Sequence, residues 1–135
     1  MLLEKFRNGM NLGGWLSQYD CLPNPPKTRR ELEEHFNTFL TKKDLERISS
    51  WGFDHVRLPI SGYLLYDMER KSLAQLPMEL IGQCISWCEE FHLNMVLDLH
   101  DLWGNVYGAM DTPMGIYRRL ANICGSIQRF RPNMR

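Results

Sequence analysis

The constraint that most narrows the fold is an alternation shared by three short segments, NGMNL at 8–12, DHVRLPI at 54–60 and MVLDLH at 95–100. Successive side chains of a strand point to opposite faces. His55, Arg57 and Pro59 therefore share one face of the second segment, and Val56 and Leu58 the other. The same test sets Val96, Asp98 and His100 against Leu97 and Leu99, and Gly9 and Asn11 against Met10 and Leu12. Each strand keeps one wholly apolar face and one mixed face, with Asn11, Arg57 and His100 near the C-terminal ends. Stretches of helical spacing lie between the segments and no two-residue hairpin turn joins them, so the strands are expected to run parallel. An open doubly wound sheet buries both faces under helices, which accommodates Arg57 and Asp98 poorly. A barrel turns the mixed face inward and carries its site at the C-terminal ends of the strands. The expected fold class is α/β, a partial (β/α)8 TIM barrel comprising the first three β/α units.

The helices between the strands follow from spacing and capping. Thr41 and Asp44 resemble a capping box, and Leu45, Ile48 and Trp51 recur at helical spacing until Gly52 stops the turn. Pro59 is expected to end the second strand's ladder. Pro77 suits a first helical position, ahead of a broad apolar face of Leu80, Ile81, Cys84, Ile85, Cys88 and Phe91. The segment CLPNPPKTRR, with three prolines, reads as a surface excursion. After Asp111 no acidic residue occurs, while Arg118, Arg119, Arg129, Arg131 and Arg135 crowd the end. There Ile116, Leu120, Ile123 and Ile127 suit the inner side of an amphipathic helix.

Sixteen basic and sixteen acidic side chains cancel. That removes the electrostatic footprint of a nucleic-acid or anionic-membrane binder, so neutral polar ligands fit better. The N-terminus has neither the apolar core of a signal peptide nor the span of a membrane helix, which as written reads as cytoplasmic. The four cysteines form no CxxC pair, and Cys84 and Cys88 share a helix face as core thiols.

Chemistry concentrates on the mixed face. A guanidinium does not shed its proton in a protein, so Arg57 in mid-strand needs a carboxylate or a bound polar ligand. Two partners stay open from the residues alone: Asp98 as a structural ion pair, or a ligand. His100 ends its strand beside Asp101 and ahead of a glycine-containing loop, a placement that favours function. Asn11 is either a site residue or a turn residue before Gly13–Gly14. Trp15, Trp103 and Tyr107 either rim the site, where rings stack on sugars, or cap the barrel core. A metal centre on Asp98, His100 and Asp101 ranks last, because alternation splits the set and no second histidine joins it.

Together GMNLGGWL, HFNTFLTKKDLERISSWGFDHVRLPI and NMVLDLH resemble the opening of glycoside hydrolase family 5, the cellulases and related β-glucanases, over roughly residues 5–112. The resemblance implies a retaining enzyme on a (β/α)8 barrel that hydrolyses β-linked glucans without a cofactor or metal. It makes Arg57 the second-strand arginine that hydrogen-bonds the nucleophilic carboxylate, and His100 the third-strand histidine that contacts the sugar. Asn11, His100, Trp103 and Trp15 become the substrate-binding candidates. The family's two catalytic glutamates stand on its fourth and seventh strands, the first within an Asn-Glu pair. No Asn-Glu dipeptide occurs in this chain. The expectation is therefore an N-terminal barrel portion over 1–112 and a basic segment over 113–135 without a recognisable match, ending short of both glutamates. Such a chain should be inactive alone and should self-associate through an open sheet edge. The parent family is often secreted. The implied partner is a β-glucan or oligosaccharide, with no nucleic acid or membrane. The alternative is a non-catalytic carbohydrate-binding module.

Overall fold

The structure, a computed structural model, describes residues 6–101 apart from 68 and 71. Trp103, Tyr107, Cys124 and the basic segment with its expected helix lie outside the described residues. Strands β1 (Gly9–Asn11), β2 (His55–Ser61) and β5 (Asn94–Asp101) form one parallel sheet in the order β1-β2-β5. Between β1 and β2 come α1 (Arg29–Thr38) and α2 (Lys42–Ser50); between β2 and β5 come α3 (Gly62–Leu65), β3 (Tyr66–Asp67), β4 (Ser72–Leu73) and α4 (Gln75–Glu90). Strand order in the sheet equals strand order in the chain, with no reversal. A doubly wound sheet has such a switch point; a barrel wall does not.

The apolar faces make the core. Val56, Leu58 and Ile60 are buried beneath the helices, with Leu45 and Ile48 of α2 and Leu80, Ile81, Cys84 and Cys88 of α4. α4 packs on both α2 and β5. Cys84 and Cys88 are free buried thiols, as their shared face requires. A hydrogen bond with Cys88, aided by burial, pushes the Cys84 thiol up and keeps it un-ionised.

Local chemistry explains the element ends. The Asp44 carboxylate accepts from the backbone N–H and the hydroxyl of Thr41, at 2.8 and 2.7 Å, and starts α2. Gly52 stops it in the left-handed region, φ +86°. Trp51 closes α2 as its C-cap but is 65% exposed, so it does not belong to the apolar face that its spacing suggested. α1 was not anticipated, because its sequence RRELEEHFNT buries only Phe36. The available signal was the Thr28–Glu31 pair, which makes a complete capping box. The two-residue strands of the β3–β4 hairpin are too short to carry any periodicity.

Pro59 does not end the ladder. It lies inside β2 opposite Asp98, and the strand runs on to Ser61. Leu12 N–H donates to the Arg57 carbonyl and Ser61 N–H donates to the Leu16 carbonyl, each 2.9 Å, so residues 57, 59 and 61 direct their backbone groups toward the β1 side. The β1 ladder ends with Asn11 opposite Arg57, so it asks no N–H of residue 59. A proline is tolerated where its missing donor has no acceptor.

Candidate functional site

The mixed face assembles as the alternation requires. Asn11 stands in register with Arg57, and Arg57 with Val96, so Asp98 follows on the same face of β5; the register shifts after Leu99, where His100 is the extra residue, and its ring still meets Asp98. Arg57 Nη1 donates to Asn11 Oδ1 at 2.7 Å, and Nη2 donates to Asp98 Oδ2 at 2.5 Å. His100 Nδ1 lies 3.0 Å from the same Asp98 oxygen and 3.3 Å from Arg57 Nη2. Four side chains from three strands thus converge at the C-terminal ends. Their cation is held from both sides, by an amide oxygen and a carboxylate.

The cluster is half-open. The side chains of Arg57, Asp98 and His100 are 41%, 30% and 33% exposed. A pair this accessible contributes little net stability, since solvent screens it. Val96 on the same face is also exposed, at 40%, so among the described residues no helix covers this face.

The structure separates the remaining candidates. Trp15 is not a rim aromatic. It is fully buried, and its indole N–H donates at 2.9 Å to the Phe36 carbonyl, one of the last carbonyls of α1 and without a partner inside the helix. The loop after β1 folds inward over α1, so this ring serves the core and presents no face to a sugar. Trp103 lies outside the described residues, and the side chain of Asp101 is not described. Among the described residues no three His, Cys, Asp or Glu side chains gather as a metal would require.

At the opposite, N-terminal ends of the strands, Asp54 clamps the segment that leads into β1. Its carboxylate accepts from the N–H groups of Arg7 and Asn8 and pairs with His55 Nδ1 at 2.6 Å. The His55 hydrogen bond, then the backbone donors, hold the Asp54 carboxyl below its ordinary value of 3.8. This group sits at the strand starts, away from the Arg57 cluster, and its role is structural. A groove of about 280 Å³ runs along β1, lined by Met10, Leu12, Trp15, Phe39, Ile48 and Trp51 among others. It touches the cluster only through Asn11.

Parallel strands in unbroken order, with polar side chains gathered at their C-terminal ends, are the architecture of (β/α)8 enzymes, and solved structures agree. A tri-modular family 5 endo-β-1,4-glucanase from Bacillus licheniformis, complexed with cellotetraose, matches with a TM-score of 0.64 at 21% identity, over 98% of this chain and 25% of that one. The described residues are part of such a barrel.

Residues 23–128 match the family Cellulase (glycosyl hydrolase family 5), and the chain belongs to that family. Endoglucanase C of Acetivibrio thermocellus is 40% identical over 99 residues, which cover 73% of this chain and 26% of that protein. Glucan 1,3-beta-glucosidase 1 of Schizosaccharomyces pombe is 27% identical over 129 residues, covering 78% of this chain and 31% of that protein. The chain therefore spans about a quarter to a third of the length of these curated relatives.

Proposed function

We propose that the chain supplies the substrate-facing first strands of a retaining β-glucan hydrolase. The observation that carries this reading is the convergence of Asn11, Arg57 and His100 on the open inner face. Arg57 faces the barrel interior, where a cation beside a carboxylate lowers its pKa and keeps a nucleophile charged. His100 offers a polar ring atom to a bound sugar. The relatives named above are an endoglucanase and a glucan glucosidase, which supports a glucan as the substrate class.

Retaining hydrolysis needs two carboxyl groups about 5 Å apart. Asp98 is committed to Arg57, and no second carboxylate stands in the cluster among the described residues. The 135 residues contain no Asn-Glu dipeptide, and on this reading the isolated chain does not hydrolyse glucans. Among the described residues β1 and β5 each pair on one side only, and the free edges make the isolated chain self-associate.

A chimera tests the assignment. Residues 6–112 replace the corresponding segment of the Acetivibrio endoglucanase, and hydrolysis of cellotetraose is measured with and without Arg57→Ala. The active chimera should lose about 10²-fold or more in kcat on losing this preorganised charge. Unchanged kcat in the variant, or hydrolysis by the isolated chain, would overturn the reading.

A further inference from the structure

We propose that Asp98 is a positioning residue that fixes His100 as the Nδ1–H tautomer, so that Nε2 meets the ligand as a hydrogen-bond acceptor. His100 Nδ1 has two neighbours of opposite character: Asp98 Oδ2 at 3.0 Å, which accepts, and Arg57 Nη2 at 3.3 Å, which only donates. A neutral ring presents either a proton or a lone pair there, and only one neighbour is served.

The geometry decides between them. Arg57 Nη2 already donates to Asp98 Oδ2 at 2.5 Å, well within hydrogen-bond range. A bare Nδ1 would set its lone pair against a carboxylate oxygen 3.0 Å away while offering the guanidinium a longer, weaker contact. With the proton on Nδ1 the ring donates to a charged acceptor, the stronger class of hydrogen bond. One carboxylate oxygen then gathers both Arg57 and His100. Asn11 holds the guanidinium from the far side at 2.7 Å, so Arg57 does not swing away when His100 turns.

The consequence for recognition is specific. With Nδ1 protonated, Nε2 carries a lone pair, and His100 takes a ligand hydroxyl as donor, never a carbonyl or other pure acceptor. Among the described residues Nε2 has no hydrogen-bond partner, and the side chain is 33% exposed. A sugar hydroxyl satisfies this, as does any alcohol or amine donor; that last step rests on the hydrolase reading above, whereas the tautomer does not.

Long-range proton–nitrogen NMR on the 135-residue chain reads the tautomer directly, at a pH where the ring is neutral. The expected result is a single form with a pyrrole-type Nδ1 and a pyridine-type Nε2. Asp98→Ala should convert it to a mixture or to the Nε2–H form, and Asp98→Asn, whose amide oxygen still accepts, should restore Nδ1–H. A purely structural role for Asp98 would leave the His100 tautomer unmoved in a variant that folds. Wild-type chain in the Nε2–H form overturns the proposal at once, even if Asp98→Ala does not fold, and leaves the chimera result untouched. In the active chimera, Asp98→Ala should raise KM for cellotetraose about tenfold, the scale of one lost hydrogen bond, with Asp98→Asn near wild type. Equal KM in all three overturns the acceptor role.

Discussion

Gly9 stands opposite His55 in the β1–β2 ladder, and the two cannot both carry bulk. A Cβ at position 9 would lie 2.1 Å from His55 Nε2, whereas ordinary contact begins at 3.4 Å, so the imidazole would have to retreat by about 1.3 Å. It is not free to do so. Asp54 holds its other nitrogen at 2.6 Å, and Phe6 meets the ring edge-on at 5.1 Å. Gly9→Ala should therefore carry an overpacking cost of about 1–3 kcal/mol. The backbone itself raises no objection, because Gly14 and Gly52 take positive φ and Gly9 does not. Where an alanine fits, it gains about 0.4–1 kcal/mol from the stiffer unfolded chain. In a His55→Ala background the clash is gone, and Gly9→Ala should be neutral or mildly stabilising. The entropy gain is common to both backgrounds and cancels in the double-mutant cycle, leaving a coupling of about 1–3 kcal/mol. Urea unfolding of the four chains, followed by circular dichroism and tryptophan fluorescence, gives the four free energies. Costs of Gly9→Ala that agree within about 0.5 kcal/mol in the two backgrounds would refute the reasoning.

Two further perturbations probe the frame around the site. Asp54 has a folded pKa depressed below 3.8, so its contribution is fully present above the unfolded value of about 3.9 and is lost as pH falls through the folded one. The stability gap between wild type and Asp54→Asn should be widest near neutral pH and should close in acid below about pH 4; a gap independent of pH would contradict the clamp. Trp15→Phe keeps an aromatic ring but orphans the Phe36 carbonyl, which should cost about 1–3 kcal/mol in urea unfolding. Cellotetraose KM in the chimera should not change, and a rise in KM with unaltered stability would return Trp15 to the site.

Alternation in five- to seven-residue segments was enough to place Asn11, Arg57, Asp98 and His100 on one face, because the period of a strand is rigid and polar residues betray the face they share. α2 was legible through capping and spacing and α4 through spacing, although α4 starts at Gln75, two residues ahead of the Pro77 expected to open it. Alternation left Arg57's partner open, and the structure shows that Asp98 takes that place without closing the site. What the sequence hid has physical causes. α1 packs through a single buried phenylalanine, and Leu32 and Phe36 are its only apolar residues, a pair too short to set a helical period. Trp15 and Trp51 have the same side chain and opposite fates, one inside and one exposed, because a loop's direction and a helix cap's angle are set by tertiary contacts that spacing does not encode. Pro59 sits within β2 because the β1 ladder ends opposite Arg57 while pairing with β5 continues to Ser61, and proline's missing donor alone does not reveal which side of a strand is still paired.

Pro59 and Gly9 together also determine alignment. A slide of β1 by two residues keeps every side chain on its own face, so alternation alone does not forbid it. Moved forward, Asn11 would stand opposite residue 59, and the Met10 carbonyl would ask residue 59 for an amide proton that proline lacks. Moved backward, Asn11 would stand where His55 now crosses Gly9, and its Cβ would strike the imidazole. A three-residue strand, too short to choose its place by hydrophobic pattern, is thus stopped in both directions by one residue without a donor and one without a side chain. The position of Asn11 against Arg57 depends on those two stops.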